Sequence, residues 1–345
     1  MVKVGIYGAS GYTGQELLRI LRNHTGIDLV AATSRRYADT LVSDLFPSLS
    51  GLWGFRLEDL SPDELAARVD VIFLALPHGI AMAAVPHFFR LNRKIIDLSA
   101  DFRLHDRAVY EAWYGRHSAP ELLGEAVYGI PELYRDAVSQ ARLVANPGCY
   151  PTCAILGLAP ALKAGLLEES SIIIDAKSGV SGAGREPQVA SLFCEVHGGC
   201  GAYKVARHRH TPEIEQGLSD SAGKTVTVSF TPHLLPVSRG ILSTMYGNLK
   251  KSVTASELHD LYRESYGNER FVRISPEGAF PNISFVRGSN YIDIGVTVDP
   301  RTGRAIIISA IDNLIKGASG QAVQNMNLMC GLPEDTGLDV VPIYP

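Results

Sequence analysis

The chain has 345 residues, 46% of them hydrophobic and 20% charged, with a formal net charge of −4. That length suggests two domains with ample core, and the composition is that of an ordinary globular protein. A pI near 6.2 leaves no basic stripe for nucleic acid, and no apolar run is long enough to span a bilayer. Residues 1–6 run straight into a strand pattern without a signal peptide. Five cysteines, an odd number thinly spread, read as reduced thiols, so the expectation is a cytoplasmic protein without a disulfide framework.

Residues 2–7 read as a buried strand. Gly8-Ala9-Ser10-Gly11-Tyr12-Thr13-Gly14 follows, then a helical pattern with Leu17, Leu18 and Leu21 on one face. Strand, glycine loop and helix form the context of a dinucleotide-binding turn, here spaced Gly8-x-x-Gly11-x-x-Gly14 rather than G-x-G-x-x-G. The glycines allow a tight turn and let the backbone approach a pyrophosphate at the helix N-terminus. The second strand, residues 28–33, ends in Ser34-Arg35-Arg36, where an NAD enzyme would place a carboxylate for the ribose 2′-hydroxyl. Two guanidiniums and a hydroxyl suit a 2′-phosphate, so the cofactor expected is NADP; a solvated basic loop is the competing reading.

Residues 71–76 form a continuous apolar strand of the kind found in parallel sheets covered on both faces. It ends in Pro77-His78-Gly79, at the carboxyl edge where such sheets bind ligands. Residues 94–98 read as the next strand, with Ser99-Ala100-Asp101-Phe102-Arg103 after it. Arg103 is placed to hold an anion, or to pair with Asp101 or Asp106.

Asn146-Pro147-Gly148-Cys149-Tyr150-Pro151-Thr152 then leads into an apolar helical run. Pro151 suits a first helical turn, which puts the Cys149 sulfur near a helix N-terminus, where the partial positive charge favours thiolate. A buried structural cysteine is the alternative. Beyond it, a strand at 172–176 leads into the glycine-rich stretch Lys177 to Arg185. Segments 225–230, 241–246, 291–298 and 304–308 alternate like an antiparallel sheet, and 313–329 reads as a helix. Arg207-His208-Arg209-His210-Thr211-Pro212-Glu213 supplies imidazoles able to move a thiol's proton, with Glu213 close enough in sequence to orient one; a solvated loop before a helix is the bland reading. Cys194-x-x-His197-x-x-Cys200 has metal-like spacing, but Gly198, Gly199 and Gly201 make it look like a loop, and no metal is expected.

Assembled, these residues resemble the N-acetyl-gamma-glutamyl-phosphate reductases, NADPH-dependent enzymes of arginine biosynthesis. The likeness runs nearly end to end, through Gly8 to Gly14, Leu76-Pro77-His78-Gly79, Asp97 to Arg103, Tyr128 to Leu133, Asn146 to Thr152, His208 to Glu213 and Ala310 to Leu314. Aspartate-semialdehyde dehydrogenases are broader relatives. The resemblance implies an α/β fold: a Rossmann NADP-binding domain of residues 1–148 with 312–345, and an inserted α+β catalytic and oligomerisation domain of residues 149–311 with a largely antiparallel sheet. It implies reduction of N-acetyl-5-glutamyl phosphate to N-acetyl-L-glutamate 5-semialdehyde plus phosphate through a Cys149 thioester. His208 would be the acid–base and Glu213 would orient a histidine, although the residues alone do not decide between His208 and His210. Gly8, Ser10, Gly11, Tyr12, Thr13, Gly14, Ser34, Arg35, Arg36, Pro77, His78, Ser178, Gly179 and Asn313 would hold the cofactor. Arg103, Arg185 and His210 would hold the substrate's anionic groups. A homodimer or homotetramer is expected. Carrier-bound aminoadipyl phosphate or aspartyl phosphate are alternative substrates, and a non-catalytic NADP-sensing protein is the reading from another class.

Overall fold

The computed structural model describes residues 1–344 and divides them into two units, Met1–Pro147 with Ala318–Asp339, and Gly148–Gly317 with residues 340–344. The expected boundary kept 312–345 with the first unit; residues 312–317 and 340–344 cluster with the second instead. Side-chain and backbone bonds account for this. The Asp312 carboxylate accepts from Gly288 N and Leu314 N, both at 2.9 Å, Asn313 Oδ1 accepts from Gly240 N at 2.8 Å, and Ile343 N donates to Arg287 O at 2.8 Å.

The first unit holds six strands: β1 (Val2–Tyr7), β2 (Ile27–Thr33), β3 (Val71–Leu74), β4 (Lys94–Asp97), β5 (Ala126–Tyr128) and β6 (Leu143–Ala145). They lie in the order 2-1-3-4-6-5, every neighbouring pair parallel. β1 and β3 are interior strands, and Val4, Ile6, Val71, Ile72, Phe73 and Leu74 are wholly buried, which explains their unbroken apolar runs. The helix Gly320–Met329 is buried although rich in amides, because those amides are bonded. Gln321 Nε2 and Asn325 Nδ2 each donate to Gly129 O at 3.0 Å. This helix starts later than the expected 313, after a π-helical turn at Ile315–Ser319.

The second unit holds seven strands: β7 (Ile172–Gly179), β8 (Gly201–Ala202), β9 (Val228–Leu235), β10 (Ile241–Asn248), β11 (Val272–Ile274), β12 (Ile292–Asp299) and β13 (Arg304–Ile311). Their order is 11-12-13-10-7-9-8. Four pairings are antiparallel, while β11 with β12 and β7 with β9 are parallel, so the sheet is mixed. In β10, Ile241, Ser243 and Met245 face inward in strict alternation. The helix Cys149–Lys163 packs there, with residues 150–162 buried on every side. Tyr262 and Tyr266 brace it through hydroxyls that donate to Gly157 O and Leu156 O, each at 2.6 Å. Among the described residues no helix is long and apolar enough to cross a membrane.

Candidate active site

In the first unit the candidate cofactor residues gather at the carboxyl ends of β1, β2 and β3. Gly8 adopts φ +99°, the left-handed region open to glycine. Gly8 N donates to Thr33 Oγ1 (3.2 Å) and Ala9 N to Thr33 O (2.8 Å), which seats the glycine loop against the start of Ser34-Arg35-Arg36. A Cβ on Gly8 would fall 2.8 Å from Ala75 O, so the chain leading to Pro77 and His78 also lies against this turn. Gly11 caps the helix Tyr12–Leu21, and the first intrahelical bond is Gln15 N to Gly11 O (3.0 Å). The amides of Tyr12, Thr13 and Gly14 therefore precede the helical ladder, as an anion-binding terminus requires. A Cβ on Gly14 would come 2.3 Å from Ala9 O, whereas nothing lies within 4 Å of one on Gly11. This cradle suits a pyrophosphate: tight at Gly14, open at Gly11, and without an acidic residue in the first helical turn. Ser34 is buried and Arg35 and Arg36 are exposed, with Arg36 over the Tyr37 ring at 5.4 Å.

His78 Nδ1 accepts from Ala100 N (2.9 Å), which ties the turn after β3 to the segment after β4. Arg103 is buried, with Nε donating to Asn146 O (2.7 Å) and Nη2 to Leu98 O (2.8 Å). Two of its five donors thus brace the backbone at the ends of β4 and β6.

In the second unit Cys149 is the first residue of its helix and Gly148 is the N-cap. Thr152 N makes the first helical bond, to Gly148 O (2.9 Å), so the amides of Cys149 and Tyr150 point out of the helix end. Glu213, 1% exposed, accepts from Gly148 N with Oε1 at 2.8 Å. Besides the role toward a histidine expected from the sequence, Glu213 thus holds the cap ahead of Cys149 through backbone 65 residues away. Gly317 closes the other side, since a Cβ there would lie 2.7 Å from Cys149 Cβ.

His208 is buried in a ring of aromatic groups. Tyr150 stands edge-on at 5.5 Å, Tyr203 at 5.6 Å, Phe230 at 5.4 Å and His210 at 4.9 Å between centroids. Burial first, then the positive charges of Lys204 and Arg209, hold its imidazole down from 6.5 to about 4, so it is neutral near pH 7. His210 N donates to His208 Nδ1 at 3.1 Å, which assigns the neutral ring's proton to Nε2. His208 thus presents an N–H donor, and taking up a second proton on Nδ1 breaks the bond to His210 N. His210 is half-buried and touches Tyr150 at 5.9 Å.

Ser178 and Gly179 end β7, and Asn313 lies beside the same loop, with Nδ2 donating to Ser181 Oγ (2.9 Å) and Oδ1 accepting from Gly240 N (2.8 Å). Arg185 is exposed beyond that loop. Cys194 and Cys200 are exposed and His197 stacks on Phe193 at 4.7 Å. Sequence reasoning missed the aromatic partners Tyr203 and Phe230 and the close approach of Gly317. Only Tyr150, next to the cysteine, carried a local signal.

The chain thus carries a parallel six-stranded sheet with a glycine turn at its carboxyl edge and then a mixed sheet under a helix that begins at Cys149, and both parts match semialdehyde dehydrogenase domains. Residues 3–141 match the family profile "Semialdehyde dehydrogenase, NAD binding domain", and residues 149–313 match "Semialdehyde dehydrogenase, dimerisation domain". Aspartate semialdehyde dehydrogenase II from Vibrio cholerae superposes with a TM-score of 0.73 at 16% identity, over 96% of this chain and 98% of that one. The NADP complex of the enzyme from Candida albicans gives 0.69 at 14%, over 96% and 98%; at such identities the likeness is one of fold. Proteins named N-acetyl-gamma-glutamyl-phosphate reductase are far nearer, at 57% identity in Geobacter sulfurreducens and 55% in Desulfotalea psychrophila, over the full length of both chains. The chain belongs to the N-acetyl-gamma-glutamyl-phosphate reductase family.

Proposed function

We propose that this chain reduces N-acetyl-5-glutamyl phosphate to N-acetyl-L-glutamate 5-semialdehyde, releasing phosphate, with Cys149 as the acyl acceptor. The observation that carries the reading is a cysteine at the first position of a buried helix, with its cap held by Glu213 and the next residue against a caged histidine. The full-length relatives at 55–57% identity support the substrate.

The Cys149 sulfur attacks the acyl carbon, a C–S bond forms, the C–O bond breaks and phosphate leaves. NADPH, when bound, supplies hydride to the thioester carbon. The oxyanion then collapses, the C–S bond breaks and Cys149 is released as thiolate. The helix N-terminus favours that thiolate, and the Cys149 and Tyr150 amides are oriented to meet the charge developing on the acyl oxygen. His208 acts as acid–base: Nε2–H donates to the developing oxyanion, and a thiolate formed at Cys149 favours proton uptake by the ring. Glu213 holds the helix start.

Gly8, Ser10 to Gly14, Ser34, Arg35, Arg36, Pro77 and His78 would hold the adenosine and phosphate portions of NADP. Ser178, Gly179 and Asn313 would serve its nicotinamide half. Arg103, Arg185 and His210 are assigned to the substrate's anionic groups. A homodimer or homotetramer fits the match to a dimerisation domain. Five cysteines without a disulfide fit a reducing cytoplasm.

The test is the reverse reaction: N-acetylglutamate semialdehyde should reduce NADP only when inorganic phosphate is present. Cys149→Ser should lower the rate by about a thousandfold or more. Near-full turnover by that variant would rule out the covalent route, and phosphate-independent turnover would rule out the acyl phosphate.

A further inference from the structure

We propose that Tyr203 is a positioning residue for this reaction: its hydroxyl fixes Tyr150, the residue next to Cys149, and its ring closes one wall around His208. The inference rests on the thioester reading above. Tyr150 and Tyr203 hydroxyls lie 3.0 Å apart, a hydrogen bond between residues 53 positions distant in the chain. Tyr150 stands at 86° to the His208 ring and Tyr203 at 76°, so both present edges to the imidazole. Phe230 completes the wall, at 88° to His208 and 5.2 Å from Tyr150. One hydroxyl pair therefore joins Tyr150, the residue after the nucleophile, to Tyr203, and both rings stand edge-on against His208.

The backbone around Tyr203 is built to hold it there. β8 pairs with β9 through Gly201 with Leu234 and Ala202 with His233, and Tyr203 N extends the ladder by donating to Pro232 O at 3.1 Å. The next residues turn sharply: Lys204 has φ 46° and Ala206 φ 57°. Left-handed backbone is unfavourable for a residue with a Cβ, so two such residues within three persist only because the surroundings hold them. The turn brings the chain back, and His208 faces the ring it left five residues earlier.

The groups that face His208 are Tyr150, Tyr203, His210 and Phe230, with Lys204 and Arg209 supplying positive charge. Phe230 does not ionise. Burial pushes the Tyr203 hydroxyl up to about 12, and burial also pushes the Tyr150 hydroxyl well above its usual range, so both stay neutral and act as fixed dipoles and walls. Opening the Tyr203 wall admits water to the imidazole, and its proton affinity should then rise toward the ordinary value of 6.5.

Two full-length variants test this. In Tyr203→Leu, the NMR titration of the His208 ring should move upward, the acid limb of the kcat profile should move with it, and kcat should fall roughly tenfold while the KM for NADPH holds. In Tyr203→Phe the ring remains, so the His208 titration should stay in place, while loss of the hydroxyl pair should slow Cys149 alkylation by iodoacetamide several-fold. A well-folded Tyr203→Leu protein with wild-type titration and kcat overturns the proposal. If that variant does not fold, wild-type alkylation and turnover in Tyr203→Phe overturn it. The titration and the alkylation do not depend on the substrate, so failure of the native chain to reduce the acyl phosphate would count against the proposed reaction and not against Tyr203.

Discussion

Arg35 and Arg36 are exposed where β2 ends, and no carboxylate stands beside them in Ser34-Arg35-Arg36. A charge-assisted hydrogen bond to phosphate contributes on the order of 2 kcal/mol, or tenfold or more in affinity. Replacing both arginines by Ala should therefore raise the KM for NADPH at least roughly tenfold and leave that for NADH nearly unchanged. An unaltered ratio of the two constants would sink the 2′-phosphate assignment. The pair could be proposed from the sequence because it is a matter of residue type directly after a strand. Cys149 and His208 became candidates for the same reason, as residue types with chemistry of their own. Glu213 became a candidate from its sequence neighbours, but its bond to Gly148 N, 65 residues away, has no local signature. Tyr203 lay in a glycine-rich stretch with no signal, since its partner is 53 residues distant.

The helix Cys149–Lys163 is held at its start by two different devices, the Glu213 bond to the cap and the contact with Gly317. Gly317 lies in the turn that closes when its N–H donates to Asp312 O at 3.0 Å, a turn whose residue Asp312 is wholly buried. A Cβ at residue 317 would meet Cys149 Cβ at 2.7 Å and Cα at 3.2 Å, and neither is a flexible side-chain end. Gly317→Ala should thus displace the sulfur and lower kcat by about ten- to a hundredfold, with NADPH affinity nearly unchanged. Fluorescence titration of NADPH beside steady-state rates checks it, and wild-type kcat would show that the turn yields instead. The bonds of Asp312 and Asn313 explain why the last helix starts later than the sequence pattern suggests. Periodicity from 313 onward is apolar enough for a helix, yet Asp312 and Asn313 spend their side chains on Gly288 N, Leu314 N and Gly240 N. Strands with strict alternation, such as β10, were legible, whereas the parallel pairing of β7 with β9 depends on the distant placement of chain segments and leaves no periodic mark.

Across the molecule, two buried groups make folding respond to pH in opposite senses. Asp97 in the first unit is wholly buried, and burial, reinforced by the neighbouring Asp101, raises its carboxyl from 3.8 to about 7. Its folded value lies above its unfolded one, so its contribution to stability is complete below about pH 4 and is lost as pH rises through about 7. His208 in the second unit is lowered from 6.5 to about 4, so its contribution is present above about pH 6.5 and is lost as pH falls through about 4. Asp97→Asn isolates the first effect. The carboxylate accepts from Ser99 N at 2.9 Å and Ser99 Oγ at 2.7 Å, and an amide keeps only one acceptor, a loss that does not vary with pH. The pH-dependent part remains: as pH rises from about 5 to about 8, the variant's Tm minus that of the native chain should become more positive, by roughly 2 to 4 °C for each kcal/mol regained. A difference that stays flat across that range would mean that Asp97 is already charged in the folded chain. The attraction of Arg103, which opposes the upward shift, would then outweigh the burial that raises it.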